Sequence, residues 1–367
     1  MVNTNNSIDL FDLSISKDLE NKFNKNLKNI INEKSFILGQ EVEYFEKNFS
    51  NFLNSKFCFG LNSGTDALEI ALRTLNIGPG DEVIVPSFSF FATSEVVIKI
   101  GAQPIYCDIN LTDLTINTEN LKNLISKKTK AIIAVHLFGN ASNISGIKKV
   151  IKNTNIFLIE DTAQAFGSKY KNKYLGTFGE FGCFSFYPTK NLGCFGDGGA
   201  IIYNNKKYQN EIKSLRNHGT TENYFHNLVG LNSRLDSVQA LILRLKLIET
   251  KKILNLRSRN NNLYIKSLDK NIVNLHSQSN QPMNVFPITV KNNSLLKRIK
   301  SNLQKNNIQF GTYYPFGLHE FPVSKLIQEE NIFVNTDYVK NNIVTIPCHS
   351  KIKLDDIKAI SNIINES

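Results

Sequence analysis

Ser185-Phe186-Tyr187-Pro188-Thr189-Lys190-Asn191-Leu192-Gly193, followed by Gly196-Asp197-Gly198-Gly199, is the stretch on which the reading of this chain turns. Two apolar runs flank it, 182–186 (GCFSF) and 199–203 (GAIIY), and are expected to pair as a hairpin at a sheet edge. That puts a lysine in a glycine-rich loop between buried strands. An unpaired ammonium is costly in such a place. An amine that becomes part of an imine sheds the charge, and lysines of this kind reach their reactive form through desolvation or nearby cations. The plainer reading is a phosphate-binding loop, but the pattern GxxxxGK[ST] is absent.

Outward from this loop the pattern alternates as in α/β proteins. Upstream, helix 65–75 carries Leu68, Ala71, Leu72 and Leu75 on one face, and the turn Gly78-Pro79-Gly80 leads into the strand 82–85 (EVIV). The runs 103–107 (QPIYC), 131–137 (AIIAVHL) and 156–160 (IFLIE) read as interior parallel strands buried on both faces. Nearer the start, Leu19, Phe23, Leu27 and Ile30 form one helical stripe, and Val42, Phe45, Phe49 and Phe52 form another. Both are expected to pack on the main domain or on a partner chain. Downstream, a helix over 236–266 shows Val238, Leu241, Ile242 and Leu245 on one side, and shorter elements such as 285–290 (VFPITV) follow. A chain of 367 residues exceeds one compact core. The expected division is a large α/β domain over 1–250, with a mixed, mostly parallel sheet, and a smaller C-terminal α+β domain over 251–367.

Hydrophobic residues make up 41% and charged residues 20%, the balance of an ordinary folded enzyme. No apolar run is long enough to span a bilayer, and MVNTNNSIDLFDLS lacks the layout of a signal peptide, so a cytoplasmic protein without a membrane partner is expected. The net charge of +11 comes from lysines spread among Asn and Ile, as in KNIINEK, NNKKYQNEIK and LQKNNIQ. A nucleic-acid binder would cluster them with aromatics, so no nucleic-acid partner is expected. The five cysteines are scattered and form no CxxC pair, so neither a disulfide framework nor a metal site is suggested.

Three further segments carry polar groups suited to chemistry. In Asn62-Ser63-Gly64-Thr65-Asp66-Ala67-Leu68 a glycine and a hydroxyl residue open a helix, which offers free N–H groups and a positive dipole end to an anion. An ordinary N-cap is the competing reading. In Ile159-Glu160-Asp161-Thr162-Ala163-Gln164-Ala165, Asp161 sits just past a buried strand, where open α/β sheets place ligands. Its carboxylate suits a protonated ring nitrogen, or equally caps a helix. In Gly230-Leu231-Asn232-Ser233-Arg234-Leu235-Asp236, the planar fork of Arg234 suits a phosphate or carboxylate, unless Asp236 neutralises it. Anion site, acid at a strand end, then lysine in a loop is the order required by a cofactor with phosphate, ring nitrogen and aldehyde.

In this order SGTDAL, EDTAQAFG, SFYPTKNLGCFGDGGA and GLNSRLDSVQA resemble the sugar aminotransferases of the DegT/DnrJ/EryC1/StrS family. The leading ILGQEVEYFEKNF and the trailing YYPFGLHEFP fit as well, so the resemblance covers nearly the whole chain. It implies a fold-type I transferase dependent on pyridoxal 5′-phosphate. Lys190 matches the lysine that holds the cofactor as an imine, where dehydratase relatives carry histidine. By the same resemblance Asp161 pairs with the pyridine nitrogen and Gln164 lies toward the ring hydroxyl. Gly64, Thr65 and Ser185 match phosphate contacts, and Phe90 matches the aromatic stacked on the ring. Asn232 matches a phosphate contact from a second subunit, which implies a homodimer with shared sites. Arg234, Tyr313, Tyr314 and His319 match substrate contacts, although the frequent HYPxPLH pattern is altered at Tyr313 and Gly317. The implied substrates are L-glutamate and a nucleotide-linked keto sugar, aminated at C3 in the manner of UDP-linked N-acetylated sugars, for polysaccharide or surface-glycan biosynthesis. The rival readings are amination at C4 and a cofactor-binding regulator without catalysis; intact Lys190, Asp161 and Gln164 speak against the latter.

Overall fold

The computed structural model describes residues 7–222, 224–325 and 332–367; the first six residues of the opening segment lie outside these. Seven strands form the central sheet: β1 (Phe57–Leu61), β2 (Glu82–Pro86), β3 (Gln103–Cys107), β4 (Thr129–Val135), β5 (Phe157–Asp161), β6 (Phe181–Ser185) and β7 (Gly199–Tyr203). Their order is β1-β7-β6-β5-β4-β2-β3. Pairs from β6 to β3 are parallel, and β7 runs antiparallel to both of its neighbours. The near-continuous burial of these runs suits strands covered by helices on both faces.

The expected hairpin forms, but not at the edge. β1 lies outside β7, paired along its whole length from Phe57↔Tyr203 to Leu61↔Gly199. FCFGL directly follows an amphipathic helix, so its apolar residues read as a continuation of the helical stripe rather than as a strand. β4 also ends at Val135, short of the expected 137. His136 N–H still donates to the Asp161 carbonyl at 3.0 Å, and the strand ends there because Leu137–Gly139 turn into a 3-10 segment with Phe138 at φ 58°.

Helix Ser237–Ser267 is the long spine of the molecule, capped by Asp236, whose Oδ1 accepts from the Gln239 N–H at 2.8 Å. Its first half buries Ala240, Leu241, Ile242, Leu243 and Leu245, more than one face. The reason is that helices pack on both sides. Leu19, Phe23, Leu27 and Ile30 of helix Lys17–Glu33 meet Leu241 and Leu245. Helix Gln40–Leu53 brings Val42, Phe45 and Phe49 onto the sheet, and Glu41 holds Arg244 with two bonds of 2.7 and 3.0 Å. The two N-terminal stripes therefore pack within the chain.

The spine also carries the chain straight through the expected division at 250. Beyond it a three-stranded antiparallel sheet forms from β8 (Val273–Leu275), β9 (Val285–Val290) and β10 (Ile343–Pro347). Residues at the start of the chain join this part. Ile8 exchanges backbone bonds with Asn307 and Gln309, both 2.9 Å, and Leu10 N–H donates to Gln309 Oε1 at 3.1 Å. No described helix is long and apolar enough to cross a membrane.

Phe49 is the joint between helix and sheet. It is fully buried, with ring centroids 5.1 to 5.4 Å from those of Phe45, Phe166, Phe184 and Phe186. Phe49→Ala is expected to cost about 3–5 kcal/mol, read as a lowered urea midpoint. A midpoint equal to the wild-type value would show that the cluster does not hold helix to sheet.

Candidate active site

The carboxyl ends of the strands open into a cavity of about 620 Å³. Open α/β sheets place ligands at this end. Its lining includes Ser63, Gly64 and Thr65 after β1, Ser89 and Phe90 after β2, Asp161, Ser185 and Lys190.

One end of the cavity is built for an anion. Helix Gly64–Thr74 begins there, capped by Ser63, whose Oγ accepts the Asp66 N–H at 3.0 Å. The first N–H groups of a helix have no intrahelical acceptor and carry its positive end. The helix start is pressed against two strands. A Cβ on Gly64 would lie 2.8 Å from Ser185 Cβ, and one on Gly199 would lie 2.3 Å from the Ser63 carbonyl.

Asp161 occupies the last position of β5. Its Oδ2 accepts the Thr93 hydroxyl at 3.0 Å and its Oδ1 accepts the Ala163 N–H at 3.1 Å. Burial pushes this carboxyl above the ordinary aspartate range, while those two donors and the Lys190 charge draw it back. Behind it, His136 Nδ1 accepts the Ser142 N–H at 3.1 Å, so Nε2 carries the proton and donates to Glu160 at 3.0 Å.

Lys190 is half-buried on the cavity wall, and its amine has no hydrogen-bond or ion-pair partner among the described residues. Desolvation pulls it down to about 8, against the opposing pull of Asp161. Gln164 Oε1 accepts the Phe138 N–H at 3.0 Å and its Nε2 donates to Tyr314 Oη at 2.7 Å. Tyr314 packs beside Phe90, centroids 6.2 Å apart. Phe90 is 57% exposed and presents its ring to the cavity.

The structure thus brings Gly64, Thr65, Phe90, Asp161, Gln164, Ser185, Lys190, Tyr313 and Tyr314 to one cavity. Three other candidates stand apart from it. Asn232 is exposed and bridges to Asn217, whose Oδ1 accepts from Arg234 Nη1 at 3.0 Å. His319 packs on Phe333 and Tyr106 beside Glu320 and Asp337, and those carboxylates hold the Lys340 ammonium at 2.5 and 2.8 Å. Sequence reading missed Phe11, Thr93 and Asn284, all in the lining. Thr93 sits three residues after Phe90, in the first turn of helix Ala92–Lys99, a spacing that offered a signal. The other two arrive by long-range packing and gave none.

Residues 17–365 match the model of the DegT/DnrJ/EryC1/StrS aminotransferase family. The chain belongs to this family. It is 33% identical to the UDP-N-acetyl-3-dehydro-α-D-glucosamine 3-aminotransferase of Acidithiobacillus ferrooxidans, over 92% of this chain and 91% of that one. Among solved structures, a DegT DnrJ EryC1 StrS aminotransferase from Brucella abortus superposes with a TM-score of 0.90 at 32% identity, covering 95% of this chain and 96% of that one. NtdA of Bacillus subtilis with bound cofactor PMP gives 0.90 at 26% identity, covering 100% and 87%.

The cofactor of this aminotransferase is pyridoxal phosphate. The cavity fits it: unpaired helix N–H groups for a phosphate, a buried carboxylate for a ring nitrogen, an exposed aromatic face and a partnerless amine for an aldehyde. The amine predicts a pH signature of the apoprotein. Its folded value of about 8 lies below the ordinary 10.5, so between these limits the folded chain binds fewer protons than the unfolded one and gains stability as pH rises. Lys190→Met apoprotein is expected to be more stable than wild type at pH 7, by a margin that shrinks as pH approaches 10.5. Parallel urea titrations across that range check this; a constant margin would contradict it.

Proposed function

We propose that this aminotransferase transfers the amino group of L-glutamate to C3 of a nucleotide-linked 3-keto sugar of the UDP-N-acetyl type, for polysaccharide or surface-glycan biosynthesis. The observation that carries the transamination is Lys190, a partnerless amine drawn down to about 8, sharing its cavity with Asp161. The 3-aminotransferase activity of the Acidithiobacillus relative supports the C3 position.

Pyridoxal phosphate, when bound, supplies a cationic ring that accepts the electron pair left by the broken C–H bond. Gly64, Thr65 and Ser185 would hold its phosphate, and Phe90 would cover its face. Asp161 would accept the pyridinium N–H, and that positive charge draws a raised carboxyl back to its ionised form. Gln164 is fixed at both ends of its amide, which positions it for the ring hydroxyl. Lys190 would act as base, then acid: its lowered value leaves free amine near neutral pH to take the α proton of the donor and to give it back. The same residues work in reverse on the keto sugar. Tyr313 and Tyr314 line the cavity for that substrate.

Asn232 and Arg234, outside the cavity of their own chain, fit a homodimer in which each subunit lends them to the other. His319 would act only by orienting the 313–319 turn.

Purified protein incubated with pyridoxal phosphate is expected to absorb in the visible, and Lys190→Ala to lose that band and about 10²–10⁴-fold or more in rate. A colourless wild type would sink the assignment. NMR of the product made from glutamate and each keto sugar locates the new amine; a C4 amine would overturn the regiochemistry. For the shared site, a Lys190→Ala subunit mixed with an Asn232→Asp subunit is expected to regain activity that neither homodimer shows. No gain on mixing would place Asn232 in its own chain's site.

A further inference from the structure

The segment 282–285 reaches the cavity from the small sheet, where Asn284 and Val285 join the lining. Its backbone is held on several sides. Asn191, the neighbour of Lys190, donates from Nδ2 to the Pro282 carbonyl at 2.7 Å. Arg257 Nη1 donates to the carbonyls of Met283 and Asn284, each at 3.2 Å. The Asn284 N–H donates to the Phe138 carbonyl at 3.0 Å.

The side chain of Asn284 is treated differently. It is 6% exposed, its Oδ1 is buried without a partner, and its Nδ2 has none among the described residues. A buried amide left unpaired costs free energy, and native structures rarely tolerate one without a ligand or water to meet it. The oxygen is shut inside the wall, whereas Nδ2 is not closed off and stands at the cavity with its donors free, so a ligand acceptor is the natural partner of the N–H end.

The charge behind it says which kind of ligand group. Arg257 is 5% exposed and no carboxylate lies within ion-pair distance of it among the described residues, whereas the other buried guanidinium, Arg216, is paired with Glu46 at 2.7 Å. Its charge therefore has no direct carboxylate partner one residue behind the wall, and Asp12 opposes it only from a distance. Such a field favours an anionic group at Asn284 and offers little to a neutral hydroxyl. Among the described residues that line the cavity, Lys190 is the sole lysine or arginine, and it is committed to the cofactor. A dicarboxylic amino acid entering this cavity needs neutral N–H donors backed by a cation.

We propose that the Asn284 amide, backed by Arg257, is a carboxylate subsite for the amino donor, with Nδ2–H donating to a carboxylate oxygen. Arg257 is a positioning residue: it fixes the carbonyls of 283 and 284 and supplies the field. The inference rests on the reading of L-glutamate as donor given above.

The test uses the cofactor-loaded protein and two probes. Glutarate, an unreactive dicarboxylate, is titrated by calorimetry, and single-turnover conversion of the cofactor by L-glutamate is followed by absorbance. In Asn284→Ala the glutarate Kd and the half-saturating glutamate concentration are expected to rise together by about tenfold or more, with the limiting rate retained. In Asn284→Asp, a near-isosteric change that carries the test if the alanine variant folds poorly, repulsion is expected to abolish glutarate binding. An unaltered cofactor spectrum shows that each variant is assembled. Wild-type glutarate affinity in either assembled variant would overturn the proposal. So would a loss confined to the limiting rate, or a defect seen only with the keto sugar. If wild type itself is not converted by glutamate, the donor reading fails and takes this inference with it. If wild type is converted and the variants are unimpaired, this inference alone fails.

Discussion

Three strand ends and a helix start converge on Gly199, and no side chain fits there. β7 pairs at this residue with both Leu61 of β1 and Ser185 of β6. The Ser63 carbonyl passes so close that a Cβ would stand 2.3 Å from it. Because the position is glycine, helix Gly64–Thr74 can set its N-terminus against the tip of β6. An anion bound there is fixed relative to the sheet, and so is everything attached to the anion. Asp161 at the tip of β5 and Lys190 in the loop after β6 then sit at constant places relative to it. The spacing of the site is a property of the sheet, transmitted through a backbone contact.

Two adjacent carboxylates, Glu160 and Asp161, illustrate how the sheet sorts charge. Successive residues of a strand face opposite sides. Glu160 turns away from the cavity and is fully used there, accepting N–H groups from Gly176, Phe178 and Gly179 at 2.6 to 2.8 Å and the proton of His136. Asp161 faces the cavity with two donors, Thr93 and Ala163. One acid is spent on structure and the other is left to meet a cation.

Much of this was legible locally. The strand runs announced themselves by composition, and the site residues at strand ends and helix starts follow from where a doubly covered sheet must leave its polar groups. What escaped was non-local. Nothing in FCFGL says that it will flank β7, because that depends on a partner more than a hundred residues downstream. Asn284 looks like any asparagine before a strand until Arg257 and Phe138 fix its backbone. Helix Ser237–Ser267 runs unbroken across the expected division at 250, so the two parts share one spine.

The pairing of residues 8–10 with 307–309 has a bearing on how the molecule is made. These partners are 299 residues apart in the chain at Leu10 and Gln309, and Phe11, which follows, belongs to the cavity wall. Contacts of such separation form after local ones, because the loop between them must first be closed. The sheet and its anion end are complete by residue 203, well before the last wall of the cavity. The cavity is thus bounded only where the chain's start meets its C-terminal part, so its last wall depends on both ends of the sequence at once.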